Sequence, residues 1–198
     1  MRAGVEVLSH AMDVVWEVEP KIPARYHDAR STEPSVSIEE ALASDELTAL
    51  FEGMRERGTI LDATVYLPRI LVRGGQRVES IDDRRIAGAL PFTRRAHELG
   101  VEIACGTDHL FDAEELELPA LHLELELLVH GCGLSALEAL RSATWIGAKV
   151  LGRERELGTI EVGKLADLVV LNEDPSENIL ATRSIRLVVK GGAVHETR

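Results

Sequence analysis

Apolar and polar residues alternate along this chain with two periods. From Ser44 to Gly58, the apolar positions Leu47, Leu50, Phe51 and Met54 recur at spacings of three and four, as on a helix that buries one face. Ser44 suits the N-cap, and Gly58 suits the left-handed position just past the last turn. The run that follows, Thr59-Ile60-Leu61-Asp62-Ala63-Thr64-Val65-Tyr66, reads as a buried strand. The same grammar occurs on either side. Arg2-Ala3-Gly4 leads into Val5-Glu6-Val7-Leu8-Ser9-His10, and a helix from about Arg84 to Gly100 leads into Val101-Glu102-Ile103-Ala104-Cys105-Gly106-Thr107-Asp108. Repeated helix-then-strand units predict an α/β fold with a parallel sheet, either doubly wound or closed as a (β/α)8 barrel, and in both the loops after the strand ends carry function. His10 and Asp108 stand where two of these strands end, and the middle run offers Asp62, Thr64 and Tyr66.

Farther on, Leu121 to Val129 and Ser135 to Leu151 predict two helices separated by Gly131-Cys132-Gly133, with Ser135 and Glu138 spaced as a capping box. Gly131 to Ala136 also fits the dinucleotide pattern G-x-G-x-x-A, but the leucines and glutamates before it space as a helix face, so a helix-turn-helix junction is the better reading. The tail changes character. Gly158 to Lys164, Ala166 to Asn172 and Ile185 to His195 read as short strands of a small antiparallel sheet, with Gly191-Gly192 as a two-residue hairpin turn.

Composition narrows the partners. With 45% hydrophobic and 28% charged residues, the chain has the make-up of a folded globular protein, and 198 residues suffice for one domain with an appendage. A formal charge of -12 disfavours nucleic acid and anionic membranes, and no apolar run approaches a membrane span. Cys105 and Cys132 follow no disulfide or zinc-ribbon spacing, so a reducing cytoplasmic setting is expected. A small-molecule substrate is the expected partner, and homo-oligomerisation is left open.

Leu157-Gly158-Thr159-Ile160-Glu161-Val162-Gly163-Lys164-Leu165-Ala166-Asp167-Leu168-Val169-Val170-Leu171 closely resembles the C-terminal signature of the metal-dependent amidohydrolase superfamily. Ser135-Ala136-Leu137-Glu138-Ala139-Leu140 with Ala143-Thr144 resembles the helix before that signature, and Gly106-Thr107-Asp108 resembles the end of the family's eighth barrel strand. Ala3 to His10 is similar to the sixth strand of the imidazolonepropionase-like and prolidase-like branch. The resemblance implies a partial (β/α)8 TIM barrel over residues 1–152, comprising strands six to eight, and part of a composite β-sandwich over residues 153–198. It implies Asp108 as both metal ligand and catalytic proton shuttle, His10 as a second metal ligand, and His109 as a residue lining the substrate pocket. The cofactor would be a divalent metal, zinc first, with one or two ions in the full-length enzyme. On residues alone Asp108 also reads as a turn or helix cap, and His10 as a hydrogen-bonded surface group.

The chemistry so implied is hydrolysis of a cyclic amide, an N-acyl amino acid or a dipeptide. A divalent metal lowers the pKa of its bound water to about 7, and the aspartate takes the proton and passes it to the leaving nitrogen. Thr107 and Cys105 would orient the strand end. The acidic run Asp112, Glu114, Glu115 and Glu117 reads as substrate selection or a solvated surface, and Trp16 and Tyr26 as substrate packing or core anchors. His27, His97, His122, His130 and His195 have no ligand spacing. The family's remaining ligands should precede His10, yet only nine residues do, and no His-x-His occurs in the chain. The expectation is therefore an N-terminally truncated piece, poorly soluble and catalytically silent alone because its sheet edge is open. The alternatives are a non-catalytic scaffold and one chain of a two-chain enzyme.

Overall fold

The computed structural model describes residues 6–19, 35–66, 83–108 and 119–196. Three short parallel strands form the first sheet in the order β1 (Val7–Ser9), β2 (Ile60–Asp62) and β3 (Ile103–Ala104). Register pairs Val7 with Ile60 and Ser9 with Asp62, then Leu61 with Ile103 and Asp62 with Ala104. The strands are shorter than the apolar runs that predict them, but the ladder outlasts them: the His10 N–H donates to the Asp62 carbonyl at 3.0 Å and the Ala63 N–H to the Ala104 carbonyl at 3.2 Å.

The helices that cover one face follow from their ends. Helix α1 (Ile38–Ala43), which the hydrophobic pattern does not predict, opens on a full capping box between Ser37 and Glu40. Helix α2 (Asp45–Arg57) begins where the Ser44 hydroxyl accepts the Leu47 N–H, and stops at Gly58, whose φ of 68° only glycine adopts without cost. Helix α3 (Asp83–Glu98) runs through Pro91. Phe51, Leu47 and Met54 of α2, Phe92 of α3 and Leu61 of β2 are fully buried together. Burying each such side chain contributes about 1.5–3 kcal/mol. After His10 the chain forms a 3-10 turn, Ala11–Glu17, whose Val14 and Val15 join this core, with Trp16 half-buried against it. Trp16 thus anchors the core, as one of its two readings had it.

Helix α4 (Ala120–His130) and helix α5 (Ala136–Arg141) meet at Gly131-Cys132-Gly133. A helix and not a strand precedes Gly131, as the junction reading requires. Ser135 and Glu138 form the expected capping box. The expected single helix to Leu151 is instead interrupted by a π turn, Ser142–Ile146, before α6 (Gly147–Val150). That widened turn presents the Ser142 carbonyl to the Cys105 N–H at 3.4 Å, on the edge of β3 that faces away from β2. Behind it, Ile146 packs on Ile60 and Ala104 with Trp145 alongside, and Lys149 and Arg141 pair with Glu102.

The tail holds an antiparallel sheet of β4 (Leu168–Leu171), β5 (Ile185–Lys190) and β6 (Ala193–Glu196), with Gly191 and Gly192 at positive φ in the turn between β5 and β6. Gly158 to Lys164 is not a strand, contrary to the sequence reading. It is a run of turns with Ile160 and Val162 exposed, organised by the Lys164 ammonium, which donates to the Glu154 carbonyl at 2.8 Å and to the Thr159 hydroxyl and lies over the Trp145 ring. A 3-10 turn, Ile179–Arg183, packs on α4 through the contact of His122 with Thr182 and the pair of Arg183 with Glu126. Among the described residues, no helix is long and apolar enough to cross a membrane.

Candidate metal centre

The site is built where the three parallel strands end. Among the described residues three non-glycine residues have positive φ: His10 at 69°, Thr64 at 48° and Asp108 at 42°. His10 directly follows β1, Thr64 lies two residues after β2, and Asp108 four after β3. A non-glycine residue in this region costs on the order of 1–3 kcal/mol, and a β-branched threonine is the least comfortable there. Such strain persists where surrounding structure holds it, and it clusters at functional sites.

The three side chains meet. His10 Nδ1 is 3.0 Å from Thr64 Oγ1, and His10 Nε2 faces Asp108 Oδ2 at 3.7 Å. The imidazole is 30% exposed and the carboxylate 44%, so the pair opens to solvent instead of being sealed in the core. In the tautomer with the proton on Nδ1, Thr64 accepts it, and the Nε2 lone pair is left directed toward Asp108.

Beside this pair lies Asp62, at the end of β2. Ser9 Oγ donates to Asp62 Oδ2 at 3.1 Å, and Oδ1 is closed off from solvent with no well-aligned hydrogen bond. Burial raises this carboxyl's pKa, the Ser9 hydroxyl, the His10 charge and the Gly106 N–H oppose the rise, and the Asp108 charge adds to it. Gly106 is required here by contact: a Cβ on it would fall 2.0 Å from Asp62 Oδ1.

Beneath the strand ends is a group the sequence reading passed over. Glu124 on α4 is fully buried, and its carboxylate accepts two backbone N–H groups, Val65 at 2.9 Å and Tyr66 at 2.6 Å. Burial pushes its pKa from 4.5 to about 8 against the help of those two N–H groups, with the Asp62 charge adding to the rise. The signal was in the pattern: Ala120, Glu124 and Leu128 recur every fourth residue, which puts an acid in the middle of the buried stripe. Burial also raises the thiol of Cys105, and that of Cys132 to about 12, so neither is a thiolate nucleophile.

Of the other candidates, His109, Tyr26, His27 and the acidic run from Asp112 lie outside the described residues. His97 faces Glu138 at 3.8 Å, His122 contacts Thr182, His130 is exposed in the last turn of α4, and His195 lies in β6; none approaches His10. Among the described residues no third His, Cys, Asp or Glu joins the pair to make a metal-holding cluster.

Residues 24–194 match the sequence model of the amidohydrolase family, a span that contains Asp108 and excludes His10. The chain belongs to the amidohydrolase family. This amidohydrolase is 39% identical over 79 residues to an imidazolonepropionase of Symbiobacterium thermophilum, covering 40% of the chain and 18% of that protein. It is 37% identical over 93 residues to a 5-methylthioadenosine/S-adenosylhomocysteine deaminase of Thermoanaerobacter pseudethanolicus, covering 41% of the chain and 21% of that protein. Its fold superposes on a solved Xaa-Pro dipeptidase with bound methionine in the active site, with a TM-score of 0.64 and 29% identity, over 75% of the chain and 37% of the dipeptidase. The chain thus spans about a fifth of the length of the two curated relatives. These likenesses put it in the imidazolonepropionase-like and prolidase-like branch. The α/β fold is similar to that of the solved Xaa-Pro dipeptidase and of a putative prolidase from Bifidobacterium longum, the latter with a TM-score of 0.63 and 28% identity.

Proposed function

We propose that this amidohydrolase supplies part of the metal centre of a hydrolase that cleaves a cyclic amide, an N-acyl amino acid or a dipeptide, with His10 and Asp108 as ligands. The observation that carries this reading is the convergence of His10, Thr64 and Asp108, each held at positive φ after a different strand. In a barrel enzyme the ends of the strands are where ligands and catalytic groups gather, and residues 1–152 are read as barrel strands six to eight, with residues 153–198 as part of a β-sandwich.

The donor set fits a divalent cation as far as it goes. Imidazole nitrogen and carboxylate oxygen suit zinc, and 3.7 Å between them is near the roughly 3.3 Å that separates two ligands bound at about 2.0–2.1 Å to a tetrahedral ion. A metal there supplies Lewis-acid activation of water near neutral pH. Asp108 Oδ2 faces the same space and can take a proton there and return it to a leaving nitrogen. Thr64 fixes the imidazole so that Nε2 and not Nδ1 is offered to the site. Among the described residues the pair supplies two donors, one fewer than the three protein ligands of a catalytic zinc site, and the chain alone is expected to be catalytically silent.

The proposal is tested by titrating zinc into the purified chain, for wild type and Asp108→Asn. The substitution keeps the shape and removes the charge, and it is expected to weaken zinc binding at least tenfold. Equal affinity in both proteins would remove Asp108 from the metal site.

A further inference from the structure

We infer that Glu124 is a positioning residue for the metal centre: from within α4 it clamps the turn after β2 and, through Thr64, sets which nitrogen His10 presents. The inference rests on the reading of His10 as a ligand and extends it to a group far from any solvent-exposed part of the site.

The turn Ala63-Thr64-Val65-Tyr66 has to reverse away from the sheet while carrying a β-branched residue at φ 48°. Thr64 itself is 2% exposed, and the Val65 and Tyr66 side chains are buried, so water cannot satisfy the backbone donors of this segment. Two successive N–H groups point the same way and share one acceptor, the Glu124 carboxylate, at 2.9 and 2.6 Å. Once Glu124 is ionised, above about pH 8, these bonds are charge-assisted and stronger than neutral ones, and they act directly on the peptide units that follow Thr64. With those units held, Thr64 cannot relax out of the left-handed region, and Oγ1 stays 3.0 Å from His10 Nδ1. No bond links Glu124 to His10 or Asp108, so its influence runs through the backbone.

A buried carboxylate is an expensive way to stabilise a turn, since replacing such a group with apolar packing is often neutral or better for stability. What a carboxylate provides that a leucine does not is a two-pronged acceptor for adjacent N–H groups, and hence a fixed peptide orientation. Glutamine provides only one prong, because its amide nitrogen would face the second N–H with another donor.

The test is the hydrogen bond between Thr64 and His10, read from the His10 Nδ1 shift by NMR in the 198-residue chain without metal at about pH 9, where Glu124 is ionised, in wild type, Thr64→Val, Glu124→Gln and the double variant. In wild type the bond is expected to displace the Nδ1 shift from that of a free imidazole. Thr64→Val should abolish that displacement, Glu124→Gln should remove at least half of it, and in the double variant Glu124→Gln should add nothing to the loss from Thr64→Val. A wild-type His10 spectrum in folded Glu124→Gln would reduce Glu124 to a structural group and overturn the inference, as would additive effects in the double variant. If Glu124→Gln does not fold, the wild type decides: Val65 and Tyr66 amides that exchange as slowly as those of Leu61 and Ala63, together with the displaced Nδ1 shift, support the clamp, and fast exchange overturns it. Since no metal is added, loss of the clamp and loss of the metal site are separate results. Where the site binds zinc, Glu124→Gln is expected to weaken it about 10- to 100-fold, the usual effect of removing an outer support.

Discussion

At the residue scale the site is a set of constraints that fit together only with the side chains present. Gly106 leaves space for Asp62, so Gly106→Ala should drive the Asp62 carboxylate off Ser9. The expected cost is about 1–3 kcal/mol of stability, typical of forcing a methyl into a filled space, and is read from urea unfolding. A loss smaller than a few tenths would mean that Asp62 moves freely. Glu124 gives a pH signature. The folded chain keeps that proton up to about pH 8, whereas an unfolded chain releases it near 4.5. Between those values the folded state binds more protons, so stability falls as pH rises through the window, by up to about 1.4 kcal/mol per unit. The slope should be shallower in Glu124→Gln than in wild type when unfolding free energies are compared across that range, the remainder coming from other shifted groups such as Asp62.

At the scale of elements, the ends of helices were more legible than the strands. The caps at Ser44 and Ser135 and the stop at Gly58 come from local chemistry, a hydroxyl meeting an N–H or a glycine turning left, and local chemistry is what a sequence displays. Ser135→Ala should therefore cost about 1 kcal/mol, visible as a lower denaturation midpoint, by freeing the Glu138 N–H and breaking the reciprocal contact. The strands came out shorter than their apolar runs because the last residues of each run turn to build the site, His10 keeping one ladder bond to Asp62. The Gly158 to Lys164 segment has the β-branched residues of a strand, yet Lys164 ties it into turns against Trp145, a long-range contact that no local pattern announces. That His10 and Asp108 follow apolar runs was legible, and their reading as ligands came from the family resemblance. The contacts of Thr64 and Glu124 were not legible, since the clamp depends on α4 being brought under the sheet from about sixty residues away.

For the whole molecule, the described residues make one parallel sheet with helices packed on it, a π turn against its outer strand, and an antiparallel sheet in the tail. All three strand ends deliver a polar side chain to one place, and that arrangement gives family membership a physical meaning in this chain. The direct test is to titrate the labelled 198-residue chain with zinc and follow the histidine ring nitrogens and aspartate carboxylates by NMR. A saturable shift at His10 Nε2 and at the Asp108 carboxylate, with Nδ1 protonated in the zinc-bound form and the response lost in Asp108→Asn, is the predicted result. Zinc that shifts His130 or His195 while leaving His10 and Asp108 unmoved would contradict the site.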